Sequence, residues 1–123
     1  MPTVLVVDDE FGVAEVLEAI LTDEGYAVVL AANGRQALAR VGDSQPDVVL
    51  VDYMMPALDG VGVLRALAAN PAHAGLPVIL MSSLPEEAVK SQVDGYAAFL
   101  HKPFRVATVL TTLQRVLRER EKP

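Results

Sequence analysis

Six polar side chains stand where they could share one piece of chemistry: the run Asp8-Asp9-Glu10, then Asp52, Ser82 and Lys102. Asp8 follows Val4-Leu5-Val6-Val7, Asp52 follows Val48-Val49-Leu50-Val51, Ser82 follows Val78-Ile79-Leu80-Met81, and Lys102 lies just past Phe99-Leu100. Carboxylates brought close together repel, and each raises the other's pKa unless a cation neutralises them. Asp and Glu oxygens with no His or Cys among them suit a hard ion, Mg²⁺ or Mn²⁺, rather than zinc. A lysine at the rim offers a point charge to a phosphoryl oxygen, and a serine hydroxyl can add one hydrogen bond. A carboxylate in such company can act as a nucleophile and form an aspartyl phosphate, its new charge compensated by cation, ammonium and hydroxyl.

The elements that would position these groups are short apolar runs. Val48 to Val51 reads as a strand buried on both faces, and Thr3–Val7, Ala27–Ala31, Val78–Met81 and Ala97–Leu100 read the same way. Between them, Val13, Val16, Leu17, Ile20 and Leu21 recur at helical spacing and stop at Gly25. Asn33 can cap a short second helix carrying Ala37, Leu38 and Val41. Asp59-Gly60 forms a turn and caps a third helix of roughly Val61 to Ala69, which Asn70-Pro71 closes. Pro85 to Val93 should be a fourth helix, short and weakly amphipathic. The last helix is the clearest, with Val106, Val109, Leu110, Leu113, Val116 and Leu117 on one face, and Arg118 to Pro123 reads as a charged tail. His73 and His101 are loop and rim residues without a second His or Cys to make a metal set.

Five strands alternating with five helices predict an α/β fold with a doubly wound parallel sheet. Right-handed crossovers put helices on both faces, and ligands in such folds bind beyond the carboxyl ends of the strands. In the order 2-1-3-4-5 the four ends that carry polar groups are neighbours, while Ala31-Ala32-Asn33 falls at the sheet edge. Any one of these residues could merely terminate a strand. Four adjacent polar ends favour one convergent site.

At 123 residues the chain is expected to form a single domain over 1–123 with one substantial core. No apolar run approaches the roughly 18–20 residues of a membrane span, and the N-terminus lacks a signal-peptide pattern. The absence of cysteine excludes disulfides and thiolate metal sites. A cytoplasmic location is expected. The formal charge of −6 disfavours direct nucleic-acid binding by this domain, whereas it suits a cation site.

Over essentially its whole length the chain resembles the receiver domain of bacterial two-component response regulators. The matching pieces are Val6-Val7-Asp8-Asp9-Glu10, Asp52-Tyr53-Met54-Met55-Pro56-Ala57-Leu58-Asp59-Gly60, Ser82, and Phe99-Leu100-His101-Lys102-Pro103-Phe104. The resemblance implies a flavodoxin-like, CheY-like sheet and phosphotransfer from a sensor histidine kinase or phosphotransfer protein to Asp52. It implies Mg²⁺ held by Asp9, Asp52 and the backbone carbonyl of Met54, with Asp8 contributing through water. Lys102 would contact the phosphoryl group, Ser82 would sense it, Phe99 would stand at the family's switch aromatic, and Lys102-Pro103 would be a cis peptide. Such a chain is a phosphoacceptor with at most Mg-dependent self-phosphorylation and autodephosphorylation. The resemblance also implies output through the fourth helix, fifth strand and fifth helix, with a homodimer through that face as one form.

Three departures qualify the match. Ser82 stands for the commoner Thr, Phe99 for the commoner Tyr, and the chain between Ser82 and Gly95 looks about two residues short. The last leaves open a receiver-like interaction module that works without phosphorylation. A phosphohydrolase with an Asp nucleophile would normally carry a second Asp two residues on, where this chain has Met54.

Overall fold

The computed structural model describes residues 1–55 and 58–121, the last without its side chain. Pro56, expected to turn the chain after Asp52, lies outside the described residues together with Ala57, Lys122 and Pro123. The elements follow one another as β1 (Thr3–Val7), α1 (Phe11–Asp23), β2 (Ala27–Ala31), α2 (Gly34–Ser44), β3 (Val48–Asp52), α3 (Gly60–Ala69), β4 (Val78–Ser82), α4 (Glu86–Lys90), β5 (Ala98–His101) and α5 (Val106–Glu121). All strand pairs are parallel and the sheet order is β2-β1-β3-β4-β5, as the strand-end pattern required.

Strand alternation divides the core in two. Leu5, Val7, Val49, Val51, Val78 and Leu80 meet Ala37, Val41, Val63, Leu64 and Leu67 of α2 and α3, and Val89 of α4. On the other face Val4, Val6, Val48, Leu50, Ile79, Met81 and Leu100 meet Leu17 and Leu21 of α1, and Val109, Leu113 and Val116 of α5. A strand covered on both faces has no polar side, which is why these runs are continuously apolar rather than alternating.

The ends are set by local chemistry. Asn33 Oδ1 accepts from Gln36 N at 2.9 Å while Gln36 Oε1 accepts from Ala32 N at 2.9 Å, a reciprocal lock on the start of α2. Asp59 Oδ1 accepts from Gly62 N at 2.9 Å and caps α3. After α1 the chain turns at Gly25 with φ +94°, a conformation that favours glycine. The ladders run one residue further than the apolar runs in β3 and β4, because Asp52 pairs with Met81 and Ser82 with His101. The polar strand ends are therefore held in the sheet itself.

Two expectations change. The fourth helix spans only Glu86–Lys90, with Pro85 as its N-cap and Val89 as its buried residue, so Pro85 and the residues after Lys90 are not helical. Pro85 has no N–H to give and a fixed φ, which suits the residue entering a helix. Residues 118 to 121 are not a loose tail but the last turn of α5. Arg120 Nη1 donates to the Asp47 carbonyl oxygen at 2.8 Å and to Asp47 Oδ1 at 3.0 Å, while Asp47 Oδ2 accepts from Thr3 N at 2.7 Å. That contact pins the helix end to the approaches of β1 and β3.

Candidate functional site

Among the described residues the buried polar or charged side chains are Asp8, Asp52 and Ser82, at 2, 6 and 3% exposure. All three lie at the carboxyl ends of central strands; Asp52 and Ser82 line one cleft, and Asp8 meets it through Lys102. β1 and β3 are paired through Val7 and Val51, so Asp8 and Asp52 emerge side by side. Between β4 and the segment after β5, Lys102 N donates to the Ser82 carbonyl at 2.7 Å, which seats Lys102 directly beside Ser82. The Lys102-Pro103 peptide is cis.

Lys102 Nζ lies 2.8 Å from Asp8 Oδ2, 3.4 Å from Asp52 Oδ2 and 3.8 Å from Glu10 Oε1. Asp8, Glu10 and Asp52 each offer an oxygen within 4.8 Å of the others, a donor set of carboxylates alone that fits a hard divalent ion. The ammonium in their midst shows where a cation is wanted. The resemblance assigns Glu10 no role, yet its carboxylate joins this group. The signal that could have found it is Asp8 itself, whose carboxylate can accept from the N–H two residues on, with the chain bending at Asp9 between them. Glu10 N donates to Asp8 Oδ1 at 2.9 Å, and the Glu10 backbone is extended. Asp9 is exposed; it lines the same cleft of about 230 Å³, beside Asp52, Met54, Ser82 and Lys102, but lies outside the group of three carboxylates.

Electrostatics follow from this arrangement. Burial pushes the Asp52 carboxyl above its ordinary value and the Asp8 charge adds to that; Lys102 and the Met54 N–H, 3.3 Å from Asp52 Oδ1, oppose it without cancelling it. Burial alone would lower the Lys102 ammonium, yet its hydrogen bond and charge pairing with Asp8, then with Asp52, hold it above the lysine value. Both partners are raised because the closest bond of Lys102 goes to Asp8, leaving Asp52 under-compensated.

The loop beyond Asp52 is packed tightly. A Cβ on Gly60 would come 2.7 Å from the Asp52 carbonyl oxygen and 2.9 Å from Tyr53 Cα, so only glycine lets α3 start against the backbone of Asp52. Ser82 Oγ accepts from Leu84 N at 3.0 Å, leaving its own proton to give.

A family model described as the response regulator receiver domain matches residues 4–114. The chain belongs to that family. This receiver domain is 38% identical over 121 residues to the probable transcriptional regulatory protein TcrX of Mycobacterium tuberculosis, covering 94% of this chain and 50% of that protein. It spans about half the length of the curated relatives it matches. Its shape matches the chemotaxis protein CheY4 of Vibrio cholerae with a TM-score of 0.86 at 34% identity, over 94% of this chain and 98% of that one. It also matches the signal receiver domain of a signal transduction histidine kinase from Syntrophus aciditrophicus, with a TM-score of 0.90 at 30% identity, over 100% of this chain and 95% of that one. Receiver domains are phosphoacceptors rather than classical enzymes, and an Asp with raised proton affinity beside a lysine suits that chemistry.

Phe99, the candidate switch aromatic of this receiver domain, is half-buried on β5. Its ring centroid is 6.5 Å from that of Tyr96, whose hydroxyl donates to Glu86 Oε2 at 3.1 Å in the first turn of α4. His101 Nε2 lies 3.0 Å from the Ser83 carbonyl and ties β5 to the segment after β4.

Proposed function

We propose that this receiver domain accepts a phosphoryl group on Asp52 from a sensor histidine kinase or phosphotransfer protein in a Mg²⁺-dependent switch. The observation that carries the reading is Asp52 itself: a buried carboxylate of raised proton affinity, its Oδ2 3.4 Å from the Lys102 ammonium, in a cleft of further carboxylates. In the transfer the donor's P–N bond breaks, an Asp52 oxygen forms the new P–O bond, and the freed imidazole takes up a proton. Asp9, Asp52 and the Met54 carbonyl would hold the Mg²⁺, with Asp8 acting through water and Glu10 adding charge at the rim. The ion would supply positive charge against the phosphoryl oxygens. Lys102 would turn from the carboxylates to the new phosphoryl oxygens, since it already reaches both Asp8 and Asp52. The free proton of Ser82 would be donated to the same group, and Phe99 would respond to the change in the segment that Ser82 begins.

A docking site for the donor adjoins the cleft. Gly12, Val13 and Val16 of α1 face Pro103 and Phe104 across an apolar groove of about 400 Å³ that runs on to Glu10, Ser83 and Lys102. Val16 is 56% exposed there. A helix presenting a phosphohistidine at its edge would cover these apolar groups while delivering phosphorus to Asp52.

The test is incubation with Mg²⁺ and acetyl phosphate, read by intact mass. The wild type is expected to gain one phosphoryl group, and Asp52→Ala none. Absence of both labelling and Mg²⁺ binding sinks the reading; wild-type signalling by Asp52→Asn in cells would favour a module that works by contact alone. With a purified, autophosphorylated kinase that labels the wild type, Val16→Glu is expected to slow labelling about tenfold relative to acetyl phosphate, the loss of one buried apolar contact.

A further inference from the structure

The peptide group that joins Ser83 to Leu84 is held at both of its polar ends. Its N–H, that of Leu84, donates to Ser82 Oγ at 3.0 Å. Its carbonyl, that of Ser83, lies 3.0 Å from His101 Nε2. A carbonyl oxygen can only accept, so Nε2 bears the hydrogen and donates it. A trans peptide is planar, which fixes its C=O and N–H on opposite sides of one rigid plate. Turning the carbonyl toward His101 therefore also aims the N–H, and with it the hydroxyl oxygen that accepts from it. The series runs from His101 through the peptide to Ser82 Oγ and ends in the Ser82 proton. Bonds in such a series polarise one another in the same sense.

The sheet places His101 for this task. It is the last residue of β5 and pairs with Ser82, the last of β4, while Lys102 N donates to the Ser82 carbonyl at 2.7 Å. Side chains alternate along a strand, so His101 shares the face of Phe99, the one that α4 covers. Ser83 and Leu84 lie beyond the β4–β5 ladder, where strand pairing no longer orients the backbone. Ser82 is buried and lines the Asp52 cleft beside Lys102, whereas His101 is exposed. Water could also bond the Ser83 carbonyl, but water brings no fixed direction. An imidazole on a paired strand does.

We propose that His101 is a positioning residue for Ser82: through the Ser83–Leu84 peptide it fixes the Ser82 hydroxyl oxygen, so that the proton is aimed at the phosphoryl group on Asp52. This rests on the reading of Asp52 as phosphoacceptor and of Ser82 as a donor to the new group. A donor fixed before the charge arrives has no reorganisation to undergo when it does, and that is the source of its effect.

The test is the rate of Asp52 labelling by acetyl phosphate at saturating Mg²⁺, followed by intact mass. His101→Asn, whose amide reaches only the Nδ1 position, is expected to slow labelling about fivefold, the weight of one hydrogen bond. His101→Gln, whose amide nitrogen reaches the Nε2 position, should bring the rate back to within about twofold of wild type. Ser82→Ala should slow labelling roughly tenfold or more, through loss of the donor itself. The decisive arm combines the two sites: with Ser82 already replaced by alanine, His101→Asn should slow nothing further, because the group it positions is gone. Equal slowing by His101→Asn in both backgrounds, or by His101→Asn and His101→Gln alike, would make His101 a plain loop tie and overturn the proposal. An unslowed His101→Asn overturns it as well. If the wild type takes no label, the reading of Asp52 fails and the proposal falls with it. If the wild type is labelled and Ser82→Ala keeps pace with it, Asp52 stands as phosphoacceptor and the proposal alone falls. Thermal melts check that the variants fold, and should His101→Asn not fold, His101→Ala carries the same comparison.

Discussion

Lys102→Met is expected to destabilise the metal-free protein severely and to abolish labelling of Asp52. Asp8 and Asp52 are nearly inaccessible to water, and Lys102 is the cation both of them contact. Removing one partner of such a buried group costs on the order of 3–5 kcal/mol, because the charges left behind stay desolvated. For a chain of this size that is a fall in Tm of roughly 10–20 °C. Two additions should reverse the loss. Mg²⁺ restores positive charge among the carboxylates. Acid restores stability too: without the ammonium, the native carboxylates hold protons more tightly than unfolded ones do, so stability rises as pH falls toward about 4. The wild type has a further signature at the other extreme. Lys102 is raised in the folded state, so its contribution is complete below the ordinary lysine pKa and is lost as pH climbs through the higher folded value. The variant should lack that alkaline loss. Thermal melts at pH 5, 8 and 10, with and without Mg²⁺, check every arm; an unchanged Tm at pH 8 contradicts the argument.

Asp52→Asn should move stability in the opposite direction. The Asp52 carboxyl is raised, first by burial and then by Asp8, so the folded state prefers it protonated and its charge is a penalty at neutral pH. That penalty is fully present above the folded pKa and vanishes as pH falls below the unfolded one. Asparagine keeps the oxygen that accepts from Met54 N, removes the repulsion with Asp8 and leaves Lys102 its 2.8 Å bond to Asp8. The metal-free variant is expected to melt a few degrees higher. Its Mg²⁺-induced rise in Tm should be lost, since a carboxylate that holds the ion is gone. A lower Tm in the absence of metal would show that the Lys102 contact outweighs desolvation at Asp52. Function lost together with stability gained is the mark of a group kept for its chemistry.

Much of this was legible in the residues because the sheet is buried on both faces. Runs such as Val48 to Val51 have no alternative as amphipathic helices, and each ends at a polar group, so the strand ends and their neighbours could be named together. Reading failed where the deciding contact joins distant parts of the chain. Arg120 looked like a solvated tail residue because Asp47, its partner, lies 73 positions earlier. Among Asp8, Asp9 and Glu10, composition could not say that Asp8 is buried while Asp9 and Glu10 stay exposed, because the bend at Asp9 that separates them is a local backbone event.

The five-residue helix α4 has a thermodynamic consequence. It buries one side chain, Val89, and its other described ties include the Tyr96–Glu86 bond at the surface. An element held by so little opens at a small fraction of the global unfolding free energy, so exchange of its amides should be governed by local melting. Moving an equilibrium from 1:99 to 99:1 takes about 5.5 kcal/mol of differential binding, more than one hydroxyl hydrogen bond supplies. A helix of five residues with one buried side chain needs less. Its brevity would let a single proton from Ser82, one turn upstream, redistribute an ensemble instead of having to break a structure.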